Sequence, residues 1–206
     1  MQAMGKRTVR RNKVVWQDAV IAILFGTIIV AGILCVARTI WSGYHFLDDH
    51  ELLRMEQSFS HGMSLHDLLR AWIKNDMNQR FRPLYWIERV TGSYLMGSNL
   101  MLWNIWTAVK GILAFALLYL SARYVKAGRT VSLIFPMVIM LGTQFTPWYR
   151  SANQESTGLL LCAAILCLIA AQYAHGRYTS SLLLFWLSYP DLQKKALLCL
   201  CRCSRC

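Results

Sequence analysis

A long apolar run near the amino terminus constrains this chain more than any other feature. The residues from Ala19 to Ala37 include no charged side chain. A helix of this length can cross a bilayer core of about 30 Å. In lipid, where the backbone must satisfy its own hydrogen bonds, a single spanning segment of this kind is a helix. The run therefore predicts a transmembrane helix.

The composition of the whole chain agrees with a membrane protein. Of its 206 residues, 56% are hydrophobic and 16% are charged, whereas about a quarter of the residues in a typical soluble domain are charged. The net charge of +12 would suit nucleic acid, but the basic residues cluster at the amino terminus and in short turns, as topology signals do. No RNA-binding signature accompanies them, so a nucleic-acid partner is not expected.

The positive charges predict the orientation of the chain. Five basic residues precede the first apolar run without an intervening acid, which predicts a cytoplasmic amino terminus; they are Lys6, Arg7, Arg10, Arg11 and Lys13. A cleavable signal peptide would have a shorter apolar core that ends in small residues, whereas Arg38 and Trp41 follow this run. The first helix is therefore expected to stay in the membrane.

Three further apolar runs predict more membrane helices. They extend from Leu100 to Tyr124, from Val131 to Phe145 and from Ser156 to Ala174. The third span is short and contains Pro136, which neighbouring helices can accommodate. A fifth run begins at Ser181 and ends before it is long enough to span. Basic residues between the second and third spans, Arg123, Lys126 and Arg129, predict a cytoplasmic turn.

The expected fold is an all-α membrane protein with about four to five transmembrane helices. Residues 1–18 are the basic cytoplasmic amino terminus, residues 19–41 the first transmembrane helix and residues 42–99 a long external loop. Residues 100–186 contain transmembrane helices two to five, the last of them incomplete, and residues 187–206 are an aberrant Cys-rich tail. The predicted location is a multi-pass position in a membrane, the plasma (inner) membrane if the source is bacterial.

The external loop contains an amphipathic pattern. Apolar residues at i, i+3, i+4, i+7 and i+8 form one helical face; they are Leu65, Leu68, Leu69, Trp72 and Ile73. Ser64, with Asp67 three residues later, predicts the start of this helix. The helix either lies in the membrane interface with its apolar face toward the acyl chains or packs on the rest of the loop. The neighbouring membrane spans favour the interfacial placement.

An acidic motif, Asp48-Asp49-His50-Glu51, follows the first membrane helix. One carboxylate can act as a general base that accepts a proton from an attacking hydroxyl. Alternatively, Asp48 and Glu51 share one face if a helix begins at Asp48, and they could bind a divalent cation. The simplest interpretation is that Asp48 or Asp49 caps a helix that runs through Leu52.

Basic residues provide a second set of candidates. Arg80 and Arg82 precede Pro83, which biases Arg82 toward an extended backbone, and arginine forks suit phosphate oxygens. The alternative is ordinary attraction to anionic lipid headgroups. Lys110 falls near the middle of the second span, where an ammonium group is costly and usually functional. Glu155 is either part of a polar pair with Arg150 facing a cavity or part of a solvated turn.

These features together resemble the GT-C glycosyltransferases. The shared layout is an amino-terminal membrane helix, the acidic motif, an amphipathic helix, and Phe81-Arg82-Pro83-Leu84 before the second span. The chain looks most like the branch related to protein O-mannosyltransferases and their bacterial counterparts. The segment from Pro147 to Glu155 is similar in placement, and the resemblance covers about residues 15–186.

The resemblance implies a sugar donor carried on a polyprenyl phosphate, with membrane lipids as further partners. Asp48 or Asp49 would be the catalytic carboxylate of an inverting transfer to an acceptor hydroxyl. Arg82, with Arg80, would stabilise the charge that grows on the departing phosphate. The remaining candidates for substrate binding are Glu51, Lys110 and Glu155. No cofactor is established, and a divalent cation stays open.

The carboxyl end departs from the family, whose members continue with many more membrane helices. The chain instead ends in a segment with four cysteines between Cys199 and Cys206. Their spacing lacks the two separated ligand pairs of a zinc module, so no metal site is expected. A frameshift or truncation after about Trp186 would explain this ending and predicts a truncated copy of the enzyme, which is either active or inactive. The alternative function is a non-catalytic membrane fragment or a lipid-binding or scaffold protein.

Overall fold

The computed structural model describes residues 2–36, 38, 50–77, 83–141 and 154–175, with side chains in the first helix from Trp16 onward. Within these ranges the chain forms seven α-helices and no strand. The all-α fold is therefore confirmed. The helices are α1 (Gln2–Val36), α2 (His50–Ser60), α3 (Leu65–Met77), α4 (Pro83–Met96), α5 (Leu100–Tyr124), α6 (Arg129–Leu141) and α7 (Gln154–His175).

The chain divides into two compact units. The first unit contains Met1–Ile40 and Ile105–Tyr178, and the second contains Trp41–Asn104 and Thr179–Cys206. In the described chain, the first unit therefore holds α1, α6, α7 and most of α5, while the second holds α2, α3 and α4.

Three described helices are long and apolar enough to cross a membrane. They are Trp16–Val36 within α1, Leu100–Tyr124 and Glu155–Ala174. The bounds of α5 are those predicted from the sequence, and α7 agrees to within two residues. The first helix differs from the predicted range of 19–41 at both ends. It begins at Gln2, within the predicted basic terminus, and ends at Val36. Its extent confirms that the first apolar run is helical.

The third predicted span is shorter in the described chain than the sequence indicates. The 13 residues of α6 extend about 20 Å at 1.5 Å per residue, less than a bilayer core of about 30 Å. Pro136 lies inside this helix and is buried. The predicted continuation to Phe145 and the fifth apolar run from Ser181 lie outside the described residues.

Apolar side chains pack the helices of the first unit together. Val30, Ile33 and Leu34 share one face of α1, as the helical repeat requires, and they contact Phe115 of α5 and Met140 of α6. A neighbouring cluster joins α5 to α7 and consists of Ala114, Leu118 and Ala163. Small residues allow helices to approach closely in a membrane, where lipid tails offer no hydrophobic driving force for association.

The second unit has its own apolar core, formed by α2, α3 and α4. Met55, Leu68, Trp86 and Val90 are its buried members, and the indole of Trp72 stacks on that of Trp86 with ring centroids 4.8 Å apart. The amphipathic helix is thus present where the sequence predicts it. Its apolar face packs on α2 and α4, so the structure favours the packed placement over the interfacial one.

The predicted cap begins α3. The amide of Asp67 donates to Ser64 Oγ at 3.2 Å, and the Ser64 hydroxyl donates to Asp67 Oδ2 at 2.6 Å. This hydrogen bond is the largest cause of a lowered pKa at Asp67, and the neighbouring His66 lowers it further. The capping signal therefore works locally, as a side chain that satisfies a free amide at the start of a helix.

The sequence analysis did not predict α4. Pro83 occupies its first position, where the missing N–H costs nothing and φ is already helical. Trp86, Val90 and Ser93 then follow at helical spacing and are buried. These signals are present in the sequence, but Pro83 was used there only to infer an extended backbone at Arg82.

Gly92 allows the indole of Trp103 to lie directly against α4, and we expect Gly92→Ala to destabilise the second unit. A Cβ at residue 92 would overlap the indole, which is buried and donates from Nε1 to the Gly97 carbonyl at 3.1 Å. Overpacking of this kind costs about 1–3 kcal/mol. Unfolding in detergent, followed by tryptophan fluorescence, measures the change. Gly158→Ala is the control, since nothing lies within 4 Å of that site, and equal losses in both variants would contradict the prediction.

Ser64→Ala should raise the pKa of Asp67 toward its ordinary value of 3.8, because it removes the main cause of the lowering. The folded-state pKa lies below that of the unfolded chain, so the ionised carboxylate stabilises α3 above about pH 3.8. This contribution is lost as the pH falls through the lowered pKa. An NMR titration of the Asp67 carboxyl in both proteins tests the shift. Ser60→Ala is a matched control, since that hydroxyl donates to the Gln57 carbonyl.

Candidate functional site

Three of the seven predicted site residues lie in the described part of the chain. Glu51 belongs to the second unit, and Lys110 and Glu155 belong to the first. The other four predicted site residues, Asp48, Asp49, Arg80 and Arg82, lie outside the described residues. For the acidic motif and for the segment with Arg80 and Arg82, the structure therefore shows the helices that follow, α2 and α4.

The acidic motif leads directly into α2. This helix begins at His50, one residue after Asp49, and its Leu52 and Met55 are buried. Glu51 lies in the first turn, where the helix dipole favours a negative charge. The helix through Leu52 that the sequence predicts is therefore confirmed.

Glu51 is paired with Arg89, a residue that the sequence analysis missed. The Arg89 Nε lies 3.3 Å from Glu51 Oε2, and Arg89 is only 2% exposed. Its Nη1 donates to the Tyr85 hydroxyl at 2.7 Å, and its guanidinium carbon lies 5.4 Å from the centre of the Tyr85 ring. One signal could have identified it, because Arg89 falls three residues after Trp86, on the apolar face of α4.

Two contacts show that α2 and α4 run in the same direction. Glu51 contacts Arg89, and one turn later the Ser93 hydroxyl contacts the Met55 sulfur at 3.4 Å. Both pairs are 38 residues apart, and a constant separation of this kind arises only when two helices are parallel. Their first residues, His50 and Pro83, therefore lie at the same end of the second unit.

Lys110 is buried inside the first unit. It is 1% exposed, its Nζ donates to Thr157 Oγ1 on α7 at 3.0 Å, and the same atom lies 5.9 Å from the centre of the Trp106 ring. The ammonium group thus joins α5 to α7 through a hydroxyl and a ring face. Glu155 lies half-buried two residues before Thr157. Whether Lys110 or Glu155 binds substrate stays a prediction.

The sequence analysis also missed a polar cluster that joins α1, α5 and α6. The carboxylate of Asp18 lies 2.9 Å from Arg123 Nε and 3.2 Å from Arg129 Nε, and it accepts a hydrogen bond from the Tyr119 hydroxyl at 3.4 Å. Asp18 is 4% exposed. The available signal was an isolated acid at the edge of an apolar run. The contacts place the start of the first span and the α5–α6 turn at one end of the first unit, as the predicted in–out alternation requires.

Metal binding gains no support from the described residues. Among them, no group of three or more His, Cys, Asp or Glu side chains could hold a metal ion. Glu51, one of the two residues considered for a divalent cation, instead faces the Arg89 guanidinium. Asp48, the other, lies outside the described residues.

The comparisons with known proteins neither support nor contradict the resemblance. No family model, no curated protein and no solved structure matches this chain. The resemblance to the GT-C glycosyltransferases therefore rests on the motifs themselves, and the function that it implies is a proposal.

We expect Asp18→Asn to destabilise the first unit, because it leaves Arg123 and Arg129 side by side without their counter-charge. The cost should be about 2–3 kcal/mol, below the range for a fully buried pair because the Arg129 side chain is exposed to water. Thermal unfolding in detergent micelles measures the loss. Glu56→Gln, which neutralises an exposed carboxylate on α2, is the control. A loss no larger than that of this control would contradict the assigned role of Asp18.

Proposed function

We propose that the second unit carries the catalytic loop of a GT-C-type membrane glycosyltransferase. The reaction would move a sugar from a polyprenyl phosphate to an acceptor hydroxyl. The observation that supports this proposal most is the parallel packing of α2 and α4, whose first residues lie at the same end of the unit. Each of these helices begins directly after one of the two motifs.

Each motif is linked to the start of its helix by a peptide bond. Asp49 is bonded to His50 and Arg82 to Pro83, and bonded residues have Cα atoms about 3.8 Å apart. From the Glu51–Arg89 contact, α4 continues for six residues toward its start and α2 for one. At 1.5 Å per residue, the two starts are offset by about 8 Å along the axis. In this proposal, a carboxylate of the acidic motif and the guanidinium of Arg82 serve one substrate at this end of the second unit.

The proposed chemistry follows from the two side-chain types. A carboxylate of Asp48 or Asp49 takes the proton of the acceptor hydroxyl as a general base. The hydroxyl oxygen forms a bond to the anomeric carbon, while the bond from that carbon to the phosphate oxygen breaks. The bonding electrons leave with the polyprenyl phosphate, and Arg82, with Arg80, stabilises the charge that grows there. Attack opposite the leaving group inverts the anomeric centre.

The two candidates in the first unit have a less direct part in this proposal. Lys110 is buried in a membrane span and bonded to Thr157, and an ionisable group at that depth is usually functional. Glu155 lies on α7, two residues before Thr157. We keep both as predicted substrate-binding residues, and neither carries the proposal.

The test uses the full chain in lipid nanodiscs with a radiolabelled polyprenyl-phosphate mannose or glucose donor. Asp48→Asn or Asp49→Asn should lower sugar transfer by about 100-fold or more, because it removes the general base. Neither variant should change the affinity for unlabelled polyprenyl phosphate. Arg82→Ala should weaken that affinity by about tenfold, as expected for a lost charge-assisted contact. Transfer is counted as label released from lipid.

Arg54→Ala is the control for the arginine variant, since Arg54 is an exposed arginine on α2. Full transfer in both aspartate variants would refute the catalytic assignment. Tight binding of polyprenyl phosphate by a wild-type chain that transfers no sugar would instead support the non-catalytic, lipid-binding function.

A further inference from the structure

Arg89 is a charged side chain withdrawn from water in the middle of a helix. It is 2% exposed and lies on the face of α4 that also carries Trp86 and Val90. Burial of a guanidinium group costs free energy unless other groups compensate its charge and its donors. Arg89 therefore requires an explanation beyond apolar packing.

Tyr85 and Glu51 both contact the Arg89 guanidinium. Tyr85, one turn earlier on α4, accepts a hydrogen bond from Nη1 at 2.7 Å and presents its ring at 5.4 Å. Glu51 on α2 places Oε2 at 3.3 Å from Nε. The tyrosine thus fixes the guanidinium on its own helix, and the charge pair connects that helix to α2.

The contact between Glu51 and Arg89 matters because of where Glu51 lies in the chain. Glu51 lies in the first turn of α2, and it follows Asp49 by two residues. Two residues of chain extend about 7 Å at most, so an anchor at Glu51 restrains where the acidic motif can lie. Leu52, the next residue, is buried and adds an apolar contact to the same turn, while the charge pair gives that turn a specific partner on α4.

We infer that Arg89 is a positioning residue, which holds Glu51 and thereby fixes the first turn of α2, the turn that follows Asp49 in the chain, against α4. The inference rests on the proposed function and gives Glu51 a role different from substrate or cation binding. Glu51 holds the turn that follows the proposed catalytic carboxylates in the chain, and Arg89 contacts neither the sugar donor nor the acceptor.

Charge pairs and apolar contacts differ in a way that makes this role testable. Replacing a buried ion pair with apolar residues often leaves stability unchanged or raises it. The apolar residues nevertheless pack in several registers, whereas the contact between Glu51 and Arg89 forms in only one of them. The double variant Glu51→Leu/Arg89→Met should therefore fold normally and lose position at the start of α2.

The kinetic experiment compares this double variant with the wild-type chain in nanodiscs, using the same polyprenyl-phosphate sugar donor. We expect kcat to fall by about tenfold or more, as misplacement of catalytic groups predicts. The KM for the donor should change by less than about twofold, because the contacts to the donor are intact. Arg54→Met, at an exposed position on α2, is the matched control and should leave both constants unchanged.

A distance measurement separates positioning from direct action on the substrate. Spin labels at Arg54→Cys and Ile87→Cys, two exposed positions on α2 and α4, report the pairing of the helices once the seven native cysteines are replaced by serine. The distance distribution should be narrow with the Glu51–Arg89 pair present and broader or shifted in the double variant. An unchanged distribution overturns the inference, even if kcat falls. A changed distribution with unchanged kcat overturns it as well.

These two measurements distinguish this inference from the proposed function. If the wild-type chain transfers no sugar, the proposed function fails, and the distance distribution alone decides whether Arg89 positions α2. If the apolar variant does not fold, the exchanged pair Glu51→Arg/Arg89→Glu replaces it. A narrow distribution that returns in the exchanged pair, relative to Arg89→Glu alone, supports the inference, and its absence overturns it.

Discussion

The carboxylate of Asp18 fixes the arrangement of the first unit, because it is the point at which three helices meet through charge. Apolar packing holds membrane helices together without selecting a register, since lipid tails are as apolar as the side chains that they replace. Arg123 on α5 and Arg129 on α6 both reach Asp18 on α1. The Arg123 Nη1 also donates to the Ala127 carbonyl at 2.6 Å, which closes the turn between α5 and α6. One acid thereby fixes α1 against α5 and α6 and lies beside the turn that joins α5 to α6.

In the second unit, the pair of Glu51 and Arg89 likewise selects how two helices pack, and it lies beside an apolar core. Met55, Trp86 and Val90 supply the apolar contact between α2 and α4, and Glu51 with Arg89 supplies the selective contact. Burial strengthens both the attraction of such a pair and the cost of losing one partner. The pair therefore contributes more to the choice of register than to the total stability of the unit.

The sequence predicts those features whose signals lie within one stretch of chain. The bounds of α5 follow from a continuous apolar run, and the start of α3 follows from a cap within four residues. The contacts of Asp18 and Arg89 could not be predicted in the same way. Their partners lie 105 and 38 residues away, and no local pattern specifies which distant charge will be the partner. The proposed catalytic aspartates and phosphate-binding arginines lie outside the described residues, and the structure describes the helices that follow them.

The parallel course of α2 and α4 also explains the amphipathic helix between them. Two helices joined by a short turn run in opposite directions, so a parallel pair needs a return element of about their own length. At 1.5 Å per residue, the 13 residues of α3 extend about 20 Å and the 11 residues of α2 about 16 Å. The return helix must contact both neighbours along its length, and this requires one continuous apolar face. The pattern that suggests a helix on a membrane surface therefore has a second cause, since the two helices that α3 connects cover that face.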